Sequence, residues 1–197
     1  MTRIRAILFD LGGVLLPFDR ERRVRAITQR TGAAPEAVRA FMAGDIHRRL
    51  DSGEADEQDL AAGLSALAGR AIAPDEACDL ILSVFEPPNA ALWALAETLR
   101  ERFIVGGFSD NPAFVRRVFP AGADLDPMFW SSELGLTKPS PEAFAAVQAR
   151  LALPPDAILF IDDTLANIEQ ARRMGWDGVV FASNDQLAAE LAARGIS

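Results

Sequence analysis

Four short apolar runs alternate with helical patterns, and that alternation most constrains what this chain can fold into. The runs cover residues 4–9, 103–108, 157–161 and 178–181, with a weaker candidate at 128–132. The first, broken only by Arg5, reads as a buried strand. Helical stretches separate the later runs. Pro141–Leu151 follows a Ser-Pro start, 164–174 stops at Gly175, and 184–194 closes the chain. This β-α-β-α rhythm predicts an α/β architecture, a parallel sheet with helices on both faces.

Residues 17–86 break the rhythm. No convincing strand lies there, and Val24, Ile27, Leu60, Leu64, Leu80 and Ile81 sit at helical spacings. Gly32, Gly53 and Gly69 punctuate the stretch. It predicts a small helical bundle inserted between the first strand and the rest of the sheet. Pro87-Pro88 marks the return, and a helix over 89–102 follows.

Half of the 197 residues are apolar, enough for a substantial core. The net charge of −8 leaves no basic excess for nucleic acid or a membrane surface, yet a small phosphate ligand needs only local positive charge. Cys78 is the one cysteine, so no intramolecular disulfide forms; a core position in a helix over 75–85 is expected. Met1-Thr2-Arg3-Ile4-Arg5 hints at a signal peptide, but Asp10 interrupts the apolar run and no convincing cleavage site follows. No uncharged apolar stretch approaches the roughly eighteen residues of a membrane span. The expectation is a cytoplasmic protein, monomeric or homodimeric.

The first run ends in Phe9-Asp10-Leu11-Gly12-Gly13-Val14. In open α/β sheets ligands bind at the carboxyl ends of strands, and glycines let backbone N–H groups approach an anion. An Asp after a strand also starts turns and caps helices, so Asp10 alone decides nothing. The second run ends in Phe108-Ser109-Asp110-Asn111, where a hydroxyl can meet a phosphate oxygen or merely begin a helix. Lys138, the one lysine beside nineteen arginines, sits in a loop before a helix. An ammonium is a compact point charge that fits beside a carboxylate and a phosphate together. The third clear run ends in Asp162-Asp163. Two adjacent acids at a buried strand end need a neutralising partner, and magnesium with a phosphate supplies one.

In this order, the motifs Phe9-Asp10-Leu11-Gly12-Gly13-Val14-Leu15, Phe108-Ser109, Lys138-Pro139-Ser140-Pro141-Glu142-Ala143-Phe144 and Phe160-Ile161-Asp162-Asp163 resemble the haloacid dehalogenase superfamily on its phosphatase side. The resemblance spans essentially the whole chain. With Leu50-Asp51-Ser52-Gly53-Glu54, it looks most like the branch of bacterial α-D-glucose-1-phosphate phosphatases and the soluble epoxide hydrolase phosphatase domain. It implies a Rossmann-like core over 1–16 and 87–197 with an inserted α-helical cap over 17–86. It further implies a magnesium-dependent hydrolase of small phosphorylated metabolites, sugar phosphates among them. Asp10 would form an aspartyl-phosphate, Ser109, Asp110 and Lys138 would bind the phosphate with it, and Ser109 and Lys138 would share in catalysis. Mg2+ would be held by Asp10, the Gly12 carbonyl, Asp163 and, directly or through water, Asp162, with Asn167 outside them.

Two residues depart from the family pattern. Gly12 stands where most of these phosphatases carry an Asp that protonates the leaving group; Asp19 is a conceivable substitute. Asp110 stands where asparagine is usual and adds negative charge beside the phosphate. In the cap, His47, Arg48, Arg49 and Asp51 are the polar candidates for leaving-group specificity, against a reading as a solvated helix face. The alternatives are a metal-free haloacid dehalogenase, which Asp162-Asp163 argues against, and a catalytically weak relative that binds a metabolite or a partner protein.

Overall fold

Strand-end chemistry in this chain rests on a five-stranded sheet in which every pairing is parallel, in the order β3-β2-β1-β4-β5. The computed structural model describes residues 3–196. Met1, Thr2 and Ser197, part of the expected core range, lie outside the described residues. The strands are β1 (Ala6–Phe9), β2 (Ile104–Ser109), β3 (Met128–Trp130), β4 (Ile158–Asp162) and β5 (Asp177–Val180). β1 sits at the centre, with Phe9 level with Gly107 of β2 and Ile161 of β4. Because the strands are parallel, the residues ending β1, β2 and β4 share one edge.

The period of two along each strand divides the interior into two cores. Ile7, Phe9, Val105, Leu159 and Ile161 face one side, with α6 (Ala90–Leu99) and α10 (Asn184–Ala193). Ala6, Leu8, Phe108, Ile158 and Phe160 face the other, with α8 (Pro141–Leu151) and α9 (Leu165–Arg173). In the second core Phe144 meets Phe108 at 5.3 Å and Trp176 at 5.3 Å between ring centroids, both near edge-on. Edge-to-face rings are a favoured arrangement of buried aromatics.

The inserted stretch is helical. It holds α1 (Arg20–Thr31), α2 (Pro35–Met42), α3 (Asp45–Asp51), α4 (Glu57–Ala68) and α5 (Pro74–Leu82). Capping explains the bounds of several. The Asp19 side chain accepts from Glu21 N, Asp56 and Asp59 form a capping box on α4, and Gly32 and Gly69 end α1 and α4 in the left-handed conformation. Buried faces of α1, α3, α4 and α5 join the first core, where Cys78 is buried and its thiol is pushed up to about 11 by that burial.

Two short linkers tie this cap to the sheet. Asp19 N donates to Val84 O and Glu86 N to Pro17 O, both at 2.8 Å, around an antiparallel bridge between Phe18 and Phe85. That bridge shortens α5, expected over 75–85, to Leu82, because residues 84–86 are taken by the linker ladder. The strand candidate at 128–132 also ends early, at Trp130, and Ser131 opens the short helix α7 (Ser131–Leu134). Among the described residues no helix is long and apolar enough to cross a membrane.

Phe144→Ala should cost about 3–5 kcal/mol of stability, since it removes the ring that links three other aromatics and leaves a cavity. Urea unfolding followed by tryptophan fluorescence measures this. A loss below about 1 kcal/mol would show that the second core collapses readily around the gap.

Candidate active site

A buried ammonium organises the shared strand edge. Lys138 reaches from the loop before α8, its side chain only 2% exposed, and its Nζ lies 2.9 Å from Asp10 Oδ1 and 2.7 Å from Asp162 Oδ2. It also donates to the Phe108 carbonyl at 3.1 Å. The Phe108 and Phe160 rings stand 5.3 and 5.1 Å from the nitrogen, within cation–π range. Burial opposes the charge on Lys138, but Asp10, Asp162 and Asp110 outweigh it and raise the pKa above its ordinary value.

Asp162 is fully buried and well partnered. Its Oδ2 also accepts from Asn167 Nδ2 at 2.9 Å, and its Oδ1 accepts from Thr164 N at 2.8 Å. Asp163 faces outward and is exposed, with Thr164 Oγ1 donating to it at 3.2 Å. Asp10, Asp162 and Asp163 each offer an oxygen, and those oxygens lie within 4.8 Å of one another. Burial raises the Asp10 carboxyl above the usual range; Lys138 pulls it down and Asp162 pushes it up again. Burial and the charge of Asp162 likewise raise Asp163. A hard divalent cation would relieve this crowding, and three carboxylates form the donor set such an ion takes.

The backbone beside the cluster is shaped for it. Gly13 has a φ of +78°, and a Cβ there would collide with Asp163 Oδ2. Gly12 is different. Its backbone lies outside the left-handed region, and a Cβ on it would meet only the edge of Phe18, at 3.7 Å.

Ser109 ends β2 fully buried, its Oγ accepting from Asn111 Nδ2 at 2.9 Å. Asp110 resolves the charge problem raised by its sequence. Both its oxygens accept from the backbone N of Lys138, at 3.0 and 3.1 Å, so the carboxylate clamps the Lys138 loop. Burial raises its pKa against the pull of Lys138.

Between this edge and the cap lies a cavity of about 330 Å³. Gly12, Asp110 and Asn111 line it from the core; Arg20, Arg23, His47 and Asp51 line it from the cap. Arg48 and Arg49 do not. Arg48 pairs with Asp45 at 2.9 Å and Glu54 at 2.8 Å, and Arg49 donates to the Glu54 carbonyl at 3.2 Å. Of the four cap candidates His47, Arg48, Arg49 and Asp51, His47 and Asp51 therefore line the cavity. Burial, reinforced by Arg23 and Arg20, holds the His47 imidazole down to about 4, so it is neutral at ordinary pH. Arg20 and Arg23 escaped the sequence reading. The available signal was that Arg23 stands one turn from Ile27, on the buried face of α1 beside Val24.

Comparisons with known proteins point to one family. The family model for haloacid dehalogenase-like hydrolases matches residues 4–175. A D-ribitol-5-phosphate phosphatase of Bacteroides thetaiotaomicron is 26% identical over 186 residues, covering 88% of this chain and 90% of that protein. A phosphatase of Mycobacterium tuberculosis is 30% identical over 184 residues, covering 87% of this chain and 84% of its own. Among solved structures, a haloacid dehalogenase family enzyme of Bacteroides thetaiotaomicron, in complex with magnesium and inorganic phosphate, superposes with a TM-score of 0.82 at 22% identity. That match covers 93% of this chain and 98% of the other.

The two adjacent glycines should respond differently to a methyl group. Gly13→Ala should lower stability by more than about 1 kcal/mol and weaken stabilisation by added Mg2+, because it strains the turn and displaces Asp163. Gly12→Ala should leave both near wild type. Thermal melts across a magnesium titration decide; equal behaviour of the two variants would show that Asp163 moves aside freely.

Proposed function

The chain belongs to the haloacid dehalogenase-like hydrolase family, and from that premise we propose that it is a magnesium-dependent phosphatase of small phosphorylated metabolites, acting through an aspartyl-phosphate on Asp10. The carrying observation is the Asp10, Asp162, Asp163 cluster facing Lys138 at the carboxyl edge of the sheet. Sugar and polyol phosphates are the favoured substrates, in keeping with the similarity to a ribitol-5-phosphate phosphatase and with a cavity that admits a small polar leaving group. The reading places the enzyme in the cytoplasm, where phosphorylated metabolites are kept.

Each residue then has a task. Asp10 Oδ attacks phosphorus as the ester oxygen departs, and water later releases phosphate from the aspartyl group. Lys138 holds the Asp10 carboxylate in place and offers positive charge to the transferring phosphoryl oxygens. Ser109 donates its hydroxyl hydrogen to one of those oxygens. Asp110 contributes through its backbone N–H, because its carboxylate is committed to the Lys138 loop. Asp10, the Gly12 carbonyl and Asp163 would hold Mg2+, with Asp162, already partnered by Lys138, Asn167 and Thr164, supporting them directly or through water. When bound, the ion neutralises charge so that an anionic nucleophile can approach an anionic ester. A metal-free dehalogenase is the poorer reading, because a cluster of carboxylates beside the nucleophile repels a haloacid anion.

A screen of phosphorylated metabolites and p-nitrophenyl phosphate, with Mg2+ and after chelation, tests the proposal. Turnover should require the ion. Asp10→Asn should lower it on the order of 10³-fold or more while the protein melts as a folded domain. Turnover that survives complete metal removal, or a fully active Asp10→Asn variant, would overturn the reading.

A further inference from the structure

A phosphatase built this way lacks one part. Residue 12, two after the nucleophile, is glycine, so nothing at that position can protonate the leaving group. Asp19, the first acid after Gly12 in sequence, is committed elsewhere. It caps α1 through Glu21 N at 2.8 Å and pairs with Arg25 at 3.1 Å, and its backbone and side-chain hydrogen bonds hold its carboxyl below the usual range.

The cavity over Gly12 contains five groups that carry or can carry charge: Arg20, Arg23, His47, Asp51 and Asp110. Arginine does not give up a proton at any working pH. His47 is unprotonated at neutral pH, so it has no imidazolium proton to give. Asp110 accepts from Lys138 N with both oxygens. Asp51 remains. It is the last residue of α3, and its Oδ1 is buried with no hydrogen-bond partner. Burial, then the charge of Asp110, pushes its carboxyl up to about 7, with Arg23 pulling the other way. A carboxyl in that range is half protonated near neutrality and can both give and take a proton.

We propose that Asp51, carried on the cap, is the general acid–base residue that Gly12 does not supply. The proposal rests on the phosphatase reading above. In the first step an Asp10 oxygen bonds to phosphorus, the bond from phosphorus to the ester oxygen breaks, and that oxygen takes the proton of the Asp51 carboxyl. The products are an alcohol, the aspartyl-phosphate and an Asp51 carboxylate. In the second step Asp51 takes a proton from water as the water oxygen bonds to phosphorus. The bond between Asp10 and phosphorus breaks, phosphate leaves, and both carboxyl groups return to their starting states.

The test is the leaving-group dependence of kcat/KM, which reports the first step only. Asp51→Asn keeps the shape of the side chain and removes the transferable proton. It should lower kcat/KM for glycerol 2-phosphate by about 10²–10⁴-fold and for p-nitrophenyl phosphate by less than about tenfold, since p-nitrophenolate leaves without a proton. Adding Gly12→Asp to that variant should recover the alkyl phosphate, because residue 12 has room for a side chain. Asp51→Ser serves in the same role where Asp51→Asn fails to melt cooperatively. Equal losses on both substrates, an alkyl phosphate rate left near wild type, or a double variant no better than the single one would overturn the proposal. Wild-type protein that hydrolyses neither ester with Mg2+ would instead overturn the phosphatase reading on which it rests.

Discussion

The Lys138 ammonium is the charge on which the carboxyl edge of the sheet depends. β1 and β4 are hydrogen-bonded neighbours, and they bring Asp10 and Asp162 together where almost no water reaches. Two such carboxylates repel strongly in a medium of low polarity, and burying either alone is costly. One point charge at 2.9 and 2.7 Å answers both. A guanidinium would not substitute well: its planar fork is wider, and the space is bounded by the rings of Phe108 and Phe160. In a chain that otherwise uses arginine throughout, the single lysine stands where a compact cation is needed.

The same rings connect the site to the fold. Phe108 and Phe160 belong to the second core, packed on Phe144 at 5.3 and 5.9 Å. They also form the apolar wall beside the Lys138 ammonium. Alternation along β2 turns Ser109 away from Phe108, whereas on β4 Asp162 lies on the same face as Phe160 and reaches the site because it is the last residue of the strand. The loop that carries Lys138 is held from the other side by Asp110, the residue that follows β2. Core packing and site geometry therefore share residues, and a change in the aromatic cluster reaches the nucleophile through only one intervening side chain.

What the sequence made legible follows from its periodicities. Apolar runs that stop abruptly mark where strands emerge from the core, so the strand-end positions of Asp10, Ser109 and Asp162 could be read directly. Helix ends at Gly32, Gly69 and Gly175 carry their own turn chemistry. The cap was less transparent. A run such as His47-Arg48-Arg49 does not say which side chain looks inward, because that depends on how α3 lies against its neighbours. Arg48 is drawn away by Asp45 and Glu54, whereas Arg23, in a helix read only for its apolar face, borders the cavity. The role of Asp110 was hidden for a similar reason: its partner is a backbone N–H 28 residues on.

The pair Gly12-Gly13 separates what folding demands from what chemistry demands. Gly13 is imposed by the backbone: its φ is +78° and Asp163 fills the space a side chain would need. Gly12 is not imposed in that way, so the absence of a carboxyl there is no by-product of the turn. If the proton instead comes from Asp51, it travels on the cap, which meets the core through Gly53 packed against Ser132 of α7 and through Arg117 paired with Asp75. A proton donor fixed to the core is present whether the cavity is covered or open. One carried by α3 is in place only while the cap sits on the sheet, when the leaving group is enclosed and bulk water is kept from Asp10. Moving the acid from residue 12 to residue 51 would thereby make ester cleavage conditional on a correctly seated substrate, with the selectivity resting on contacts to Arg23 and His47 rather than on the phosphate alone.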